Sequence, residues 1–220
     1  MFANKSFFRL VVGLLLPVSY AHAAPGADNA FKHPVYVGGG VGYGATTWRG
    51  LVPSKVDEAA AITVSTPIRV NEGGVVGNFF AGYEFSPFFA LEAGYTHFPK
   101  ATVSFDEMSL FTFENEGKTE FTTHTELLTL MGKIMLIIPK TSMRLYSGVG
   151  VADIHRRDDI VERWRVSPTF SVGINYNLSE HFMGEVSGNY TTGYGESELN
   201  PVKDYIPFLY SVVFRLAYRI

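Results

Sequence analysis

The sequence has no cysteine, little excess charge and no long apolar run beyond its N-terminal region, and each absence excludes a class of protein. Without cysteine, the chain has neither a disulfide framework nor a thiolate site for a metal. Lysine and arginine (18) are outnumbered by aspartate and glutamate (21), so the net charge of −3 does not suit nucleic acid. The most apolar later stretch, 127–138, is too short for a spanning helix and contains Lys133. Any membrane crossing must therefore use strands.

The first 23 residues have the pattern of a secretory signal peptide. Lys5 and Arg9 precede the apolar run 10–18, and Ala21-His22-Ala23 supplies the small residues that a signal peptidase reads. We expect cleavage after Ala23, which leaves residues 24–220 as a single exported domain.

Strict alternation of side-chain character dominates residues 164–176. From Trp164 to Tyr176 every second residue is apolar or aromatic, and those between them are small, polar or charged. Successive side chains on a strand point to opposite faces, so this stretch predicts a strand with one apolar and one polar face. Its length suits a tilted strand that crosses a membrane. Seven further stretches show related patterns: 35–45, 79–85, 89–95, 127–138, 144–152, 182–190 and 208–220.

The connections between these eight stretches alternate between long and short, which predicts an all-β fold. Short periplasmic turns and long extracellular loops alternate in this way in outer-membrane barrels. We therefore predict an eight-stranded antiparallel up-and-down transmembrane β-barrel. Within it we expect a long loop at 46–74 with a short ribbon at 62–70, and strand-like chain from Phe98 to Phe113. Because a proline cannot donate to a ladder, we also expect a bulge or break at Pro168.

Charged residues recur on the predicted inward faces. An eight-stranded barrel is barely wide enough for its own side chains, so these groups must pair to offset the cost of burial. We expect Glu92 and Glu185 to pair with Lys133 and Arg215. The full inward set is Glu84, Glu92, Lys133, Arg144, Arg165, Glu185, Arg215 and Arg219.

Aromatic residues lie towards the ends of the outward faces. Trp164 and Tyr176 end the apolar face of their strand, and such positions favour the aromatic girdles that flank the lipid-facing band of a barrel. The predicted girdle residues are Trp164, Tyr176, Tyr83, Tyr95, Tyr190 and Tyr218.

Three stretches carry a resemblance to a known family. The sequences VYVGGGVGY (35–43), FALEAGY (89–95) and LAYRI (216–220) resemble the OmpA-like, opacity-type eight-stranded outer-membrane β-barrels, over essentially the whole mature chain. The resemblance implies an interior network of Glu, Lys and Arg that plugs or gates a narrow lumen. Glu92 and Lys133 match family positions. Glu185 stands where the best-known member has Arg, Asn175 replaces an acid, and Arg215 offers another cation. Ile220 replaces the usual terminal Phe or Trp.

These observations favour a structural or surface role with a mostly plugged polar lumen, and leave three alternatives open. The first is a narrow porin-like channel for small solutes. The second is a lipid A-modifying enzyme, which needs a hydroxyl and a histidine within hydrogen-bond reach. His97 follows Thr96, and His124 lies between Thr123 and Thr125. Neighbouring side chains on a strand point to opposite faces, so neither histidine points to the same face as its neighbouring hydroxyls. The third is adhesion through the loops that hold Trp48, Arg49, Phe105, Phe111 and Phe113.

We accordingly predict no catalytic residue, no cofactor and no metal site in a protein of the Gram-negative outer membrane. His155 with Asp153, Asp158 and Asp159 is interpreted as a solvated charge run. The expected partners are outer-membrane lipid and lipopolysaccharide, the barrel-assembly machinery through the C-terminal strand, and a host or matrix ligand at the loops. Nucleic acid is not an expected partner.

Overall fold

The computed structural model describes residues 33–48, 67–194 and 205–220. The predicted signal peptide (1–23), Arg49 and most of the expected 62–70 ribbon lie outside these residues. In the described residues, no helix combines the length and apolar character needed to cross a membrane.

Ten strands and one short helix make up the described chain. The helix spans Leu110–Glu114. The strands are β1 (Val35–Thr46), β2 (Arg69–Asn71), β3 (Gly74–Ser86), β4 (Phe89–His97), β5 (Ala101–Ser104), β6 (Glu120–Ile137), β7 (Met143–Arg157), β8 (Glu162–Asn177), β9 (Phe182–Thr191) and β10 (Leu209–Arg219).

Eight of these strands close into an antiparallel barrel. Around the wall the order is β1, β3, β4, β6, β7, β8, β9 and β10, and β10 pairs with β1 to close the ring. One end has the short turns 87–88, 138–142 and 178–181. The long connections lie at the other end, which we term extracellular by the rule for outer-membrane barrels. The predicted eight-stranded barrel is therefore confirmed.

The barrel wall is apolar outside and polar inside. On β10, Val212 and Phe214 are each 60% exposed, while Val213 and Arg215, which alternate with them, are buried. A continuous apolar surface around a folded barrel is what a lipid-facing wall requires. Inward glycines make room for large side chains: a Cβ on Gly82 would lie 2.2 Å from the ring of Tyr36.

The long β4–β6 connection contains a small extracellular layer. Strand β5 pairs with β2 and with the upper part of β6, where Ala101 lies opposite Thr123. The expectation of strand-like chain up to Phe113 is wrong, because a helix replaces it. Ser109 caps this helix by accepting a hydrogen bond from the backbone N–H of Thr112.

Of the bulge or break expected at Pro168, the bulge is absent, whereas the β8–β9 ladder ends beside it, at the Thr169–Thr191 pair. The β7–β8 ladder passes through the Val151–Pro168 pair without a register shift. The backbone of Pro168 faces β9, where its carbonyl accepts a hydrogen bond from Thr192 N–H at 3.1 Å. Because Pro168 has no backbone N–H, it cannot donate a hydrogen bond to the carbonyl of Thr192. That carbonyl instead accepts a hydrogen bond from the Ser167 hydroxyl. A neighbouring side chain therefore replaces the missing donor.

Candidate functional site: a filled barrel lumen

A central charged group crosses the middle of the lumen. Lys133 Nζ on β6 lies 2.6 Å from Glu92 Oε2 on β4 and 3.3 Å from Glu185 Oε2 on β9. Arg215 on β10 donates to Glu92 Oε1 at 2.6 Å and also pairs with Glu185. In the ring of eight strands, β6 lies opposite β10 and β4 lies opposite β9. The four side chains thus bridge the lumen along two diameters.

Aromatic side chains complete this central group. Tyr36 donates a hydrogen bond to Glu92 at 3.0 Å, and Tyr146 donates one to Glu185 at 2.7 Å. The two tyrosines extend from β1 and β7, which also lie opposite each other. The guanidinium of Arg215 lies 3.4 Å from the ring centroid of Phe80, a cation–π contact. These contacts satisfy both carboxylates in a buried site.

A second charged group lies nearer the periplasmic end. Glu84 on β3 accepts hydrogen bonds from Arg144 at 3.1 and 2.8 Å and from Arg219 at 3.0 and 2.8 Å. Both guanidinium groups therefore bind this carboxylate with a two-bond fork. Arg144 Nε also donates to Asn175 Oδ1 at 3.0 Å. Sequence reasoning placed these residues inside but did not separate them from the central group.

Arg165 is not part of the lumen, in contrast to the sequence prediction. It shares the inward parity of Ser167, Thr169 and Ser171, which are buried, but its own side chain is exposed. The reason is the length of β8, which continues beyond its last pair with β9, Thr169–Thr191, so that Arg165 lies above the part of the wall where β8 and β9 are paired. Alternation specifies a face of the strand but not the height at which the barrel ends.

A small polar cavity lies above the central group. Its volume is about 30 Å³, enough for about two water molecules. Glu92 and Arg215 line it from the charged group, and the other lining groups are mostly hydroxyls and amides such as Asn78, Thr169 and Ser187. Within the described residues, Arg215 Nε and Asn78 Oδ1 have no hydrogen-bond partner. This cavity is too small to be a continuous aqueous passage.

An apolar layer closes the lumen above the cavity. It is a cluster of eight buried residues that come from several strands and from the β9–β10 connection. Sequence reasoning did not identify this layer. Its members are Val76, Phe98, Leu127, Ala152, Ile154, Ile206, Leu209 and Val213.

The extracellular layer has an apolar core of its own. Trp48, Phe105, Phe111 and Phe121 are buried together in it. The guanidinium of Arg156 lies 4.7 Å from the ring centroid of Trp48. Most of the loop aromatics that were expected at the surface therefore stabilise the layer from within.

The predicted girdle aromatics lie on the outside of the barrel. Five of the six are exposed: Trp164, Tyr176, Tyr83, Tyr190 and Tyr218. Tyr95 is half-buried. Tyr83, Tyr176 and Tyr218 lie near the turns of the periplasmic end, and Tyr95, Tyr190 and Trp164 lie towards the extracellular end. Two separate aromatic levels are therefore present on the wall.

The histidines lie outside the wall, apart from the inward hydroxyls. Thr96 is buried and accepts a hydrogen bond from Asn78, whereas His97 is exposed and lies 3.5 Å from Glu126. Thr123 and Thr125 are likewise buried, and His124 between them is half-buried on the other face. In the described ranges, no three His, Asp or Glu side chains are grouped in a way that could hold a metal ion.

Comparisons with known proteins agree with this architecture. The family described as outer membrane protein beta-barrel domain matches residues 13–205. A curated protein of Coxiella burnetii (strain RSA 493 / Nine Mile phase I), described as uncharacterized, is 22% identical over 251 residues, which cover 96% of this chain and 98% of that protein.

Two solved structures have a similar fold. The outer membrane protein OprG from Pseudomonas aeruginosa has a TM-score of 0.53 and 13% identity, over 86% of this chain and 97% of that chain. Neisserial surface protein A (NspA) has a TM-score of 0.50 and 11% identity, over 84% of this chain and 97% of that chain. At these identities the likeness shows the fold alone.

Proposed function

The chain belongs to the outer-membrane protein β-barrel family, and we propose that it is a closed barrel with a structural role that also presents a folded layer at the bacterial surface. The filled lumen is the observation that carries this proposal. Lys133 and Arg215 extend from opposite walls, as do Glu92 and Glu185, so ion pairs occupy the cross-section that a solute would need.

A narrow porin-like channel is the alternative, and the lumen contents argue against it. A solute would have to break the central ion pairs, whose partners are buried and would be left uncompensated. It would then meet the apolar layer that includes Phe98, Leu127 and Leu209. Two unlike barriers in series favour a closed state.

Conductance of the purified protein in planar lipid bilayers tests the closed state. We expect no regular single-channel steps from protein whose folding has been verified by heat-modifiable gel migration. Steady conductance steps that scale with the amount of folded protein, and that are missing when the same preparation is heat-denatured, would contradict the proposal.

A non-enzymatic role is part of the proposal. A hydroxyl nucleophile and its histidine base must lie within hydrogen-bond reach, at about 2.6–3.2 Å. His97 and Thr96 instead point to opposite sides of the barrel wall. Mass spectra of lipid A from cells with and without the protein provide the test, and we expect them to be identical. A change in acylation that depends on the protein would contradict a purely structural role.

Adhesion is a second candidate, favoured by two exposed apolar side chains in the extracellular layer. Met108 is 67% exposed and Phe113 is 64% exposed, although Phe105 and Phe111 beside them are buried. Binding of the purified barrel to immobilised host matrix proteins tests this role. If adhesion operates through this patch, Phe113→Ser should reduce binding, while Val212→Ser on the lipid-facing wall should not.

A further inference from the structure

The upper part of β8 has one edge without a neighbouring strand in the described residues. On one side, β8 pairs with β7 as far as the Glu162–Arg157 pair. On the other side, its ladder with β9 ends at the Thr169–Thr191 pair. Residues 162–167 therefore have a strand partner on one side only.

The chain that leaves β9 turns away from this edge. The Thr192 N–H still bonds to the Pro168 carbonyl, and on a regular strand Tyr194 would face the same way as Thr192. Instead the Tyr194 N–H donates to the Ile206 carbonyl at 2.8 Å, and the Ile206 N–H donates back at 2.6 Å, on the β10 side. Among the described residues, none continues the β9 ladder beside Val166.

The backbone groups of Val166 and Trp164 point out of this open edge. In an antiparallel ladder, successive residues direct their N–H and C=O groups alternately to the two sides. The bond from Thr192 shows that Pro168 faces the β9 side, and no register shift interrupts the β7–β8 ladder. Val166 and Trp164 have the same parity as Pro168, so their N–H and C=O groups face the open side. Such a row of unpaired groups is a template for an added strand.

The side chains along this edge specify the kind of strand that fits. Trp164 and Val166 face outward and are 50% and 61% exposed. Arg165 lies on the other face, where it is exposed and has no ion pair among the described residues. Directly opposite side chains on one face of a pair of strands interact. A complementary strand therefore has apolar residues opposite Trp164 and Val166 and an acidic residue opposite Arg165.

A second copy of the chain does not fit this edge. Two barrels in one membrane have the same orientation, so their β8 strands run in the same direction and can only pair in parallel. A twofold axis between them places equivalent residues side by side, which brings Arg163 beside Arg163 and Arg165 beside Arg165. Like charges at neighbouring positions destabilise a pair of strands. The arginines thus select against pairing of two barrels and favour an acidic partner.

We propose that the open edge of β8 binds an extended segment of another protein by β-strand addition. The segment pairs antiparallel with residues 162–166. Its apolar side chains lie opposite Trp164 and Val166, and the acidic side chains that alternate with them lie on the face of Arg165. The site is outside the lumen and does not depend on whether the lumen conducts.

Peptide binding to the full protein in phosphatidylcholine nanodiscs tests the proposal. The probe is a short peptide of alternating valine and glutamate, and its matched control has lysine in place of glutamate. The fluorescence of Trp164 reports binding, because the other tryptophan, Trp48, is buried. We expect the glutamate peptide to bind about fivefold more tightly than the lysine peptide. It should also slow amide hydrogen exchange at Trp164 and Val166, measured by NMR.

Methylation of the peptide nitrogens separates strand addition from attraction between charges. In an antiparallel pair, residues opposite Trp164 and Val166 share their hydrogen-bonding direction, so the valine N–H groups donate to β8 and the glutamate N–H groups face away. N-methylation of the valines should weaken binding by about 30-fold, because two hydrogen bonds are lost. N-methylation of the glutamates should have little effect.

Two substitutions at the edge have matched controls. Val166→Pro removes an N–H that faces the open side, so the barrel should remain heat-modifiable while the glutamate peptide binds about fivefold more weakly. Val166→Ala keeps this N–H and should bind nearly as the native protein does. Arg165→Glu should reverse the preference between the two peptides, whereas Arg69→Glu, the same charge change at an exposed residue of β2, should preserve it.

Four results would overturn the proposal. The first is equal binding of the glutamate and lysine peptides by the native protein. The second is undiminished binding of the peptide with N-methylated valines. The third is unchanged amide exchange at Trp164 and Val166 when the peptide is bound, which would place the peptide elsewhere. The fourth is slow exchange of these two amides without peptide, which would show that this chain or a second copy already closes the edge.

Discussion

Replacing Lys133 with methionine tests whether the central ion pairs stabilise the barrel. The Lys133 side chain is 3% exposed, and its two partner carboxylates are 7% and 1% exposed. At an effective dielectric constant of about 20, separations of 2.6 and 3.3 Å give attractions of about 6 and 5 kcal/mol. Desolvation of the ammonium group offsets several kcal/mol of this.

The substitution leaves one buried charge uncompensated. Glu92 and Glu185 would share the single guanidinium of Arg215, so the central group would change from neutral to a net charge of −1. Removing one partner of a buried ion pair costs about 3–5 kcal/mol. We expect Lys133→Met to lower the free energy of unfolding by this amount. Methionine has a similar length, so little of the loss comes from a cavity.

Denaturant titration of the folded barrel in lipid vesicles, followed by tryptophan fluorescence and heat-modifiable migration, measures this loss. Glu185→Gln in the Lys133→Met background restores a neutral group and should recover at least about 2 kcal/mol, which a double-mutant cycle quantifies. Met135→Leu, at a buried inward position on the same strand, is the volume control and should cost less than about 1.5 kcal/mol. A loss below about 1 kcal/mol, or no recovery in the double variant, would refute the reasoning.

Three further substitutions test other parts of the structure. Gly82→Ala should destabilise the barrel by about 1–3 kcal/mol in the same titration, because its Cβ would lie 2.2 Å from the Tyr36 ring. Gly77→Ala is the control and should be nearly neutral, because no atom lies within 4 Å of its Cβ. An equal loss of unfolding free energy in the two variants would contradict the packing argument. Tyr36→Phe removes the 3.0 Å hydrogen bond to Glu92 and should cost about 1.5–3 kcal/mol, since the acceptor is charged; no loss would mean that another donor replaces it. Phe121→Ala should create a cavity in the extracellular layer at a cost of about 3–5 kcal/mol. We expect faster proteolysis of the loops, while the barrel remains heat-modifiable on gels. Loss of the barrel itself would show that the layer does not fold separately.

The alternation of side chains was sufficient to predict the barrel. Because the period of a strand is two residues, the sequence 164–176 specifies which side chains share a face. Eight such stretches with one-sided long connections then fix the strand number and the up-and-down order. The same pattern places Glu84, Glu92, Lys133 and Arg144 on inward faces, where the structure has them.

Periodicity gave no information on height along the barrel axis or on local substitutes for backbone donors. Arg165 has inward parity but is exposed, because β8 extends beyond its last pair with β9, Thr169–Thr191. Pro168 needs no bulge, because the Ser167 hydroxyl donates the hydrogen bond to the Thr192 carbonyl that a proline nitrogen cannot donate. The helix at Leu110–Glu114 was missed, since five residues are too few to establish a helical period.

The sequence alone therefore determined the wall of this protein: which residues face lipid, which face inward, and that charge is buried. The tertiary structure decided which of those charges meet. Lys133 reaches both Glu92 and Glu185, which lie 41 and 52 residues away in the chain, and Arg219 reaches Glu84 over 135 residues. Such partners are set by the closure and stagger of the barrel, which bring opposite walls within side-chain reach. Local alternation of side chains gives no information on the distance between opposite walls.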